Sequence, residues 1–295
     1  MGKTIIISAS DARFYPLLQD LHQSIREGAR RDGMDIGVLD LGLKEEQLAD
    51  LKQAGTLTCV PGPDHDPSIF RIAPAPTFRA MTARPHLPKY FPGYDVYVFL
   101  DADCWVQDWE AVRLYVTAAE RVGLAVTPEC DRSYTPLLVG MTVAEWRHQT
   151  FLTCLGEPLA KELAQYPMIN TGLFAARADS NAWASWAEVL GNLFKALGEP
   201  FFYAEQAMLN ALIRKELVKA AYLPARCNWM CNLAAPMCSA DGKILYEPQP
   251  PFEPLGIIHL TGPNKTDVVK LEDPTGGTHL RTLRFQGAVG GLDCH

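Results

Sequence analysis

The chain has 295 residues, 48% of them hydrophobic and 21% charged, with a formal net charge of −7. That length and balance suit one large soluble α/β domain or two small ones. The acidic balance and the lack of a basic run argue against a nucleic-acid partner, whose phosphates call for clustered Lys and Arg.

The start, Met-Gly-Lys-Thr-Ile-Ile-Ile-Ser, has an apolar stretch too short for a signal peptide and fits a first core strand. No apolar run approaches bilayer-spanning length, so no transmembrane segment and a cytoplasmic location are expected. The eight cysteines are scattered, several in apolar segments, and do not form a disulfide framework. Cys227, Cys231 and Cys238 lack zinc-knuckle spacing.

In chain order, Thr4 to Ser8 reads as a buried β-branched strand, followed by the loop Ala9–Ala12. A helix is expected from about Phe14 to Arg31, with Leu17, Leu18, Leu21 and Ile25 at helical spacing and Gly33 closing it. Met34–Leu41 reads as a second strand, Gly42 to Lys52 as a second helix with its lead-in, and Thr56–Val60 as a third strand. Strands alternating with helices predict βαβ units and a parallel sheet. No G-x-G-x-x-G follows the first strand and no Walker Lys is present, so dinucleotide and P-loop readings have no support. Residues 61–92 are Pro-rich with interspersed bases, a loop and short-helix region.

Val96 to Leu100 reads as a central, fully buried strand. It ends on Asp101 and Asp103. In an extended segment alternate residues point the same way, so both carboxylates are expected to converge. Two hard oxygen ligands at the C-terminal edge of such a strand suit a divalent cation and phosphate oxygens. Taken alone, Asp-x-Asp is equally a solvated turn or a helix cap.

A helix from about Trp109 to Val122 and a strand from Gly123 to Pro128 follow, with Glu129 and Asp131 at its end. Residues 132–166 mix Pro, aromatics and a helical stretch at Ala144–Leu155, as in segments that shape a substrate pocket. Met168–Ala176 reads as another buried strand. Within it Asn170 and Thr171 need hydrogen-bond partners, and Gly172 leaves room for close approach. An amphipathic helix carrying Trp183, Trp186 and Leu190 precedes a helix at Tyr203–Ile213. Glu205 and Gln206 lie in the first turn of the latter, where an acid also serves the helix dipole. Val218–Leu223 and Leu255–Leu260 read as strands. His259 at the end of the latter suits a third metal ligand, with Lys265 for phosphate, although a lone His is more often a structural hydrogen-bonder. Beyond about Thr266 the pattern weakens, and a tail with little core is expected.

The blocks SASDARFY, LDLGLKEEQL, FLDADCWV, INTGLFAAR, AEQAMLN, CNWM and IIHLTGPNK, in this order across residues 5–265, resemble the retaining GT-A glycosyltransferases. The match is to the family of glycogenin and the bacterial lipooligosaccharide galactosyltransferases, glycosyltransferase family 8. The resemblance implies a single α/β GT-A domain, a Rossmann-like nucleotide-diphospho-sugar transferase fold with a mixed central sheet, over residues 1–265, and a tail over 266–295. It implies a hexosyltransferase of bacterial glycan biosynthesis that uses Mn²⁺ or Mg²⁺ and a UDP-sugar donor. The resemblance leaves the acceptor open among a glycan, a lipid-linked acceptor and a protein.

By that resemblance Asp101, Asp103 and His259 hold the metal, and Gly262 and Lys265 hold the diphosphate. Arg84, seventeen residues before Asp101, contacts the donor. Ser8, Ala9 and Asp11 hold the base and ribose, with Phe14 or Tyr15 stacking, and the backbone of Ala102 touches the ribose. Asn170 lies near the donor sugar. Glu205 and Gln206 match an Asp-Gln pair, with Gln206 beside the anomeric carbon. The Glu in place of Asp alters reach and puts the donor sugar in question. The family's sugar-binding carboxylate falls on Glu129 or Asp131. The family's basic, membrane-attaching tail is not evident.

Two rivals stand beside this reading. A phosphatase with an Asp nucleophile would carry its Asp-x-Asp near the N-terminus, with Thr or Val where Trp105 stands. A catalytically inactive sugar-nucleotide or glycan-binding protein would have lost metal ligands, and here all are present.

Overall fold

The structure, a computed structural model, describes residues 2–134 and 141–287. Its centre is a seven-stranded sheet in the order β3-β2-β1-β4-β7-β6-β8. These strands are β1 Thr4–Ser10, β2 Asp35–Asp40, β3 Leu57–Cys59, β4 Val96–Leu100, β6 Leu124–Pro128, β7 Ile169–Arg177 and β8 Ala221–Tyr222. β1 runs parallel to β2 and β4. β7 is antiparallel to both β4 and β6, so the sheet is mixed, as expected for the GT-A fold.

Burial on both faces explains the near-continuous apolar strands. Ile5 and Ile7 of β1 pack on one layer with Trp183, Trp186 and Leu190. Ile6 packs on the other with Leu18, Leu21, Val112 and Tyr115. The helices of these layers are α1 Tyr15–Asp32 and α5 Trp109–Val122 on one face, and α8 Ala182–Leu197 and α9 Ala204–Arg214 on the other. Between them in the chain lie α2 Glu45–Gln53, the short α3 Arg79–Thr82 and α4 Leu87–Tyr90, and α6 Met141–Leu155 with α7 Glu157–Leu163. The chain turns out of α1 at Gly33, where φ is +66°, a conformation that glycine adopts without a Cβ clash.

Two features position the site and were not expected. A second sheet joins β5 Cys104–Val106, β12 Ile257–His259 and β9 Trp229–Met230, while β10 Met237–Cys238 and β11 Leu245–Tyr246, between β9 and β12 in the chain, pair with each other. β5 is antiparallel to β12 and sets Cys104 opposite His259. A three-residue strand directly after two acids has too little alternation to be read in advance. The second feature is a β-bulge where β6 meets β7, between Val126 and Thr127. It re-aims the edge of β7 that carries Asn170.

The segment from residue 266 differs from the expected tail. β13 Val268–Glu272 and β14 Thr278–Thr282 form a hairpin. Leu271 is buried in a third apolar cluster with Trp105, Trp229 and Ile258. Its few apolar residues gain a core only because the second sheet supplies one. Just beyond the hairpin, Arg284 Nε donates to Asp20 Oδ2 on α1 at 2.6 Å, both buried. Two expectations fall on residues outside those described: part of the pocket-shaping stretch (135–140) and the last part of the tail (288–295).

Candidate active site

A cleft of about 970 Å³ opens at the C-terminal edge of β1 and β4, the edge at which open α/β sheets bind ligands. Asp101 and Asp103 stand at its floor. They do not lie on an extended segment. Cys104 N donates to Asp101 O at 2.9 Å, so Asp101–Cys104 is a turn between β4 and β5. Both acids reach the same histidine because the chain reverses there, not because a strand alternates. The backbone of the turn is held on both sides: Asp101 N donates to Gly172 O at 2.7 Å, and Leu260 N to Asp103 O at 2.9 Å.

His259 arrives through the register of β12 on β5. Its Nε2 lies 3.9 Å from Asp101 Oδ2 and 3.5 Å from Asp103 Oδ1. Lys265 Nζ is 2.5 Å from Asp103 Oδ2 and donates to Leu260 O at 2.6 Å. Burial raises the Asp103 pKa, but His259 and Lys265 outweigh it and hold the carboxyl well below the ordinary range. Asp103 is therefore an anion at neutral pH. Cys104 Sγ lies close enough to Asp103 and His259 to be a third donor, the one such His/Cys/Asp/Glu group among the described residues. Burial pushes its thiol well up, and a protonated thiol is a poor ligand.

The remaining donors fit a hard divalent cation. Two carboxylates and one imidazole nitrogen are an appropriate set for Mn²⁺ or Mg²⁺ with substrate oxygens completing the shell, Asp103 and His259 standing together and Asp101 farther out. Gly172 leaves the space: a Cβ there would stand 2.4 Å from Asp101 Oδ2 and 2.6 Å from His259 Cε1. Only glycine lets β7 pass behind these two groups.

Arg84, on the segment between α3 and α4, is 6% exposed. Its Nη2 donates to Asp101 Oδ1 at 2.5 Å, and its Nη1 to Glu205 Oε1 at 3.1 Å and Thr171 Oγ1 at 3.3 Å. Burial works against its charge, but Asp101 and Glu205 more than restore it. Glu205 is 2% exposed. Its second oxygen accepts from Thr171 Oγ1 at 3.1 Å. Burial raises its pKa, with Arg84 and Thr171 pulling it back. Glu205 is thus not a solvated acid at a helix start. Gln206 Oε1 accepts from Thr171 N at 3.4 Å. Asn210 Oδ1 accepts from Ile169 N at 2.7 Å and its Nδ2 donates to Ile169 O at 2.9 Å, which fastens α9 to β7.

Asn170 Oδ1 accepts from Gly172 N at 3.0 Å and from Asn228 Nδ2 at 3.3 Å, and its amide hydrogen-bonds Glu129. Glu129 is 7% exposed and lines the cleft. Burial pushes its carboxyl up to about 7, against the pull of the Asn170 amide. Asp131 turns away. Its Oδ1 accepts from Ser133 N at 2.8 Å and shapes the loop. Of the two carboxylates weighed from sequence, Glu129 is the one in the cleft.

Toward the open end the cleft is lined by Ala9, Asp11, Phe14, Ala102 and Gly262, all expected. Gly262 has φ +85°, so the loop before Lys265 requires glycine. Asp11 Oδ1 accepts from Phe14 N at 2.9 Å and so shapes this loop. Two expected residues lie elsewhere. Ser8 is 2% exposed within β1, and its neighbours Ala9 and Ser10 line the cleft instead. Tyr15 packs inward, its Oη 3.4 Å from Asp50 Oδ2 of α2. As the first residue of α1 it falls on the buried face, so Phe14 is the aromatic left at the opening. Residues not anticipated are Asn228 and the aromatic rim of Trp146, Phe202 and Tyr203, while Thr171 finds the partners it needs in Arg84, Glu205 and Gln206. In that rim Trp146 and Tyr203 meet edge to face at 5.1 Å.

No protein-family model matches the chain, and no curated protein does. Solved structures do match. The galactosyltransferase LgtC in complex with donor and acceptor sugar analogs is similar at a TM-score of 0.57 and 17% identity over 88% of this chain and 87% of that one. An active-site mutant of LgtC gives a TM-score of 0.55 and 18% identity over 88% of each chain. The apo structure of the bifunctional glycosyltransferase WbbM gives 0.58 and 14%, over 89% of this chain and 46% of that one. At such identities the likeness is one of fold: the chain has the GT-A fold of these glycosyltransferases. Among the described residues no helix is long and apolar enough to cross a membrane.

Proposed function

We propose that this chain is a metal-dependent glycosyltransferase that moves a hexose from a nucleotide-diphosphate sugar, a UDP-sugar in the first instance, to a hydroxyl of a glycan, lipid-linked or protein acceptor, with retention. The observation that carries the reading is the meeting of Asp101, Asp103, His259 and Lys265 on one side of the cleft with Asn170, Gln206 and Glu129 beyond them. LgtC, with the same fold, was solved with donor and acceptor sugar analogs.

When bound between Asp101, Asp103 and His259, Mn²⁺ or Mg²⁺ supplies Lewis-acid neutralisation of the charge that grows on the leaving diphosphate. Lys265 adds a second cation on the same side. Its ammonium has three donors, two of which meet Asp103 and Leu260 O, leaving the third for a phosphate oxygen. Arg84 holds Asp101 in place from a buried position, its own charge met by Asp101 and Glu205. Ala9, Asp11, Phe14 and Ala102 would receive the nucleoside.

At the sugar, Gln206 and Asn170 are neutral polar groups that can face a developing glycosyl cation without trapping it as a salt. Glu129, partly protonated at neutral pH, can donate to or accept from a sugar hydroxyl. Glu205 has both oxygens committed to Arg84 and Thr171. The carboxylate that follows the family's Asp in position therefore acts on Arg84 here, which supports a donor contact pattern different from that of the Asp-bearing members.

Thermal unfolding with Mn²⁺, UDP and GDP, singly and together, tests the reading. A ligand that binds only the native state raises the midpoint by mass action. A shift that needs UDP and Mn²⁺ together, and that vanishes in Asp103→Ala, is the expected result and licenses a screen of UDP-sugars. No shift with either nucleotide overturns it.

A further inference from the structure

The direction of four hydrogen bonds can be worked out from one backbone group. Gly172 N–H can only donate, and it meets Asn170 Oδ1 at 3.0 Å. That bond fixes the Asn170 amide: its oxygen faces Gly172, and its NH₂ faces the Glu129 carboxyl. The same oxygen also meets the Asn228 side chain at 3.3 Å. An oxygen facing an oxygen would repel, so Asn228 must present its NH₂ there. Its own oxygen then faces His259 Nδ1, 3.0 Å away. Asn228 is 1% exposed and His259 3%, so bulk water does not compete for either partner. An amide oxygen only accepts. His259 must therefore carry a proton on Nδ1, which leaves Nε2 to face Asp101 and Asp103, as a donor while the ring is protonated and as a lone pair once it is neutral.

We infer that Asn228 is a positioning residue that locks the neutral His259 in the Nδ1–H tautomer, so that its Nε2 is the nitrogen left to offer an electron pair beside Asp101 and Asp103. The inference rests on the metal-site reading above for its purpose, but the tautomer itself depends only on the hydrogen bonds. Partners of this kind, standing behind a metal-ligating histidine, change metal affinity about 10- to 100-fold when removed. Asn228 also joins the cation site to the sugar side of the cleft, because the same relay ends on Glu129 through Asn170.

The tautomer is read directly by ¹⁵N NMR of the full chain with labelled histidine, without metal, in alkaline solution. The His259 signals are those lost in His259→Gln. The expected wild-type result is a pyrrole-type Nδ1 and a pyridine-type Nε2. Asn228→Ala should shift the population toward Nε2–H. A wild-type Nε2–H tautomer, or an unchanged tautomer in Asn228→Ala, overturns the inference. Mn²⁺ titration followed by electron paramagnetic resonance is the second readout. Asn228→Ala should weaken binding about 10- to 100-fold. Asn228→Asp offers a carboxylate to the same N–H and should stay within a few-fold of wild type, although it loses the bond to Asn170. Equal weakening in both variants assigns Asn228 a packing role only and overturns the inference. Wild-type protein that fails to take up Mn²⁺ overturns the metal reading instead, and the NMR result still decides the role of Asn228.

Discussion

Arg84 Nη2 stands 2.5 Å from Asp101 Oδ1 while the opposite oxygen of Asp101 faces His259. One carboxylate thus serves a permanent cation on one side and a prospective one on the other. The cost of keeping a buried guanidinium is met by two acids, Asp101 and Glu205, and the three groups stand or fall together.

Replacing Arg84 by Met should consequently destabilise the chain by about 3–5 kcal/mol, the usual loss when one partner of a buried ion pair is removed. Arg84→Lys should recover only part of this, because a single ammonium cannot span both carboxylates as the planar fork does. Urea unfolding of the two variants checks the order. Equal stability of wild type and Arg84→Met would show that the pair contributes nothing net.

Gly172→Ala should abolish the Mn²⁺-dependent thermal shift. The added methyl meets Asp101 Oδ2 and His259 Cε1 well inside contact distance, and one or both must move. Overpacking of this kind costs about 1–3 kcal/mol, so the fold should survive while cation binding does not. Circular dichroism alongside a metal titration separates the two effects.

The Glu129 carboxyl gives stability a pH dependence of known sign. Its ordinary value is 4.5, and burial raises it to about 7 in the folded chain. Between those values the folded chain binds the extra proton. Its contribution is fully present below about 4.5 and is lost as pH rises through about 7. Glu129→Gln should remove that slope and should be more stable, relative to wild type, at pH 8 than at pH 5. Denaturation at the two pH values measures this, and a wild-type slope retained in the variant would assign the effect to another group.

Phe202 is 64% exposed yet lines the cleft beside Tyr203. Removing an exposed ring should change stability by no more than about 0.5 kcal/mol. If the ring receives the acceptor, Phe202→Ala should raise the acceptor KM and leave donor hydrolysis unaltered. Steady-state kinetics with each substrate varied in turn distinguishes this from a ring without function.

The candidate acids and histidine of the cleft and the sheet were legible in the sequence because both depend on strong, local signals. β4 is an unbroken apolar run, and Asp101 and Asp103 end it. His259 ends another. The reason for their convergence was not legible: it lies in a turn and in the β5–β12 register, which a three-residue strand does not announce. The resemblance leaves Phe14 or Tyr15 open for the stacking place, and only the fold chooses: one step along a helix turns a side chain by about 100°, which carries Tyr15 onto α2. Glu129 and Asp131 could be told apart only once the loop after β6 showed which of them its backbone consumes. Asn228 stood in a matching block, yet an asparagine has no chemistry of its own. Its meaning comes from which atom faces which partner, and that is information of the fold.

The bond between Asp20 and Arg284 joins positions 264 residues apart, and the proposed cation ligands fall into two groups, at 101–103 and at 259. A chain leaving the ribosome therefore presents Asp101 and Asp103 long before His259 and Lys265 exist to face them. During that interval β5 has no β12 to pair with, and Asp101 already has Arg84 beside it. The central sheet can form early, but the cleft is completed last, when the second sheet closes and the hairpin docks. Contacts of such long range are slow to form, so recovery of Mn²⁺ binding during refolding should lag behind recovery of helical signal.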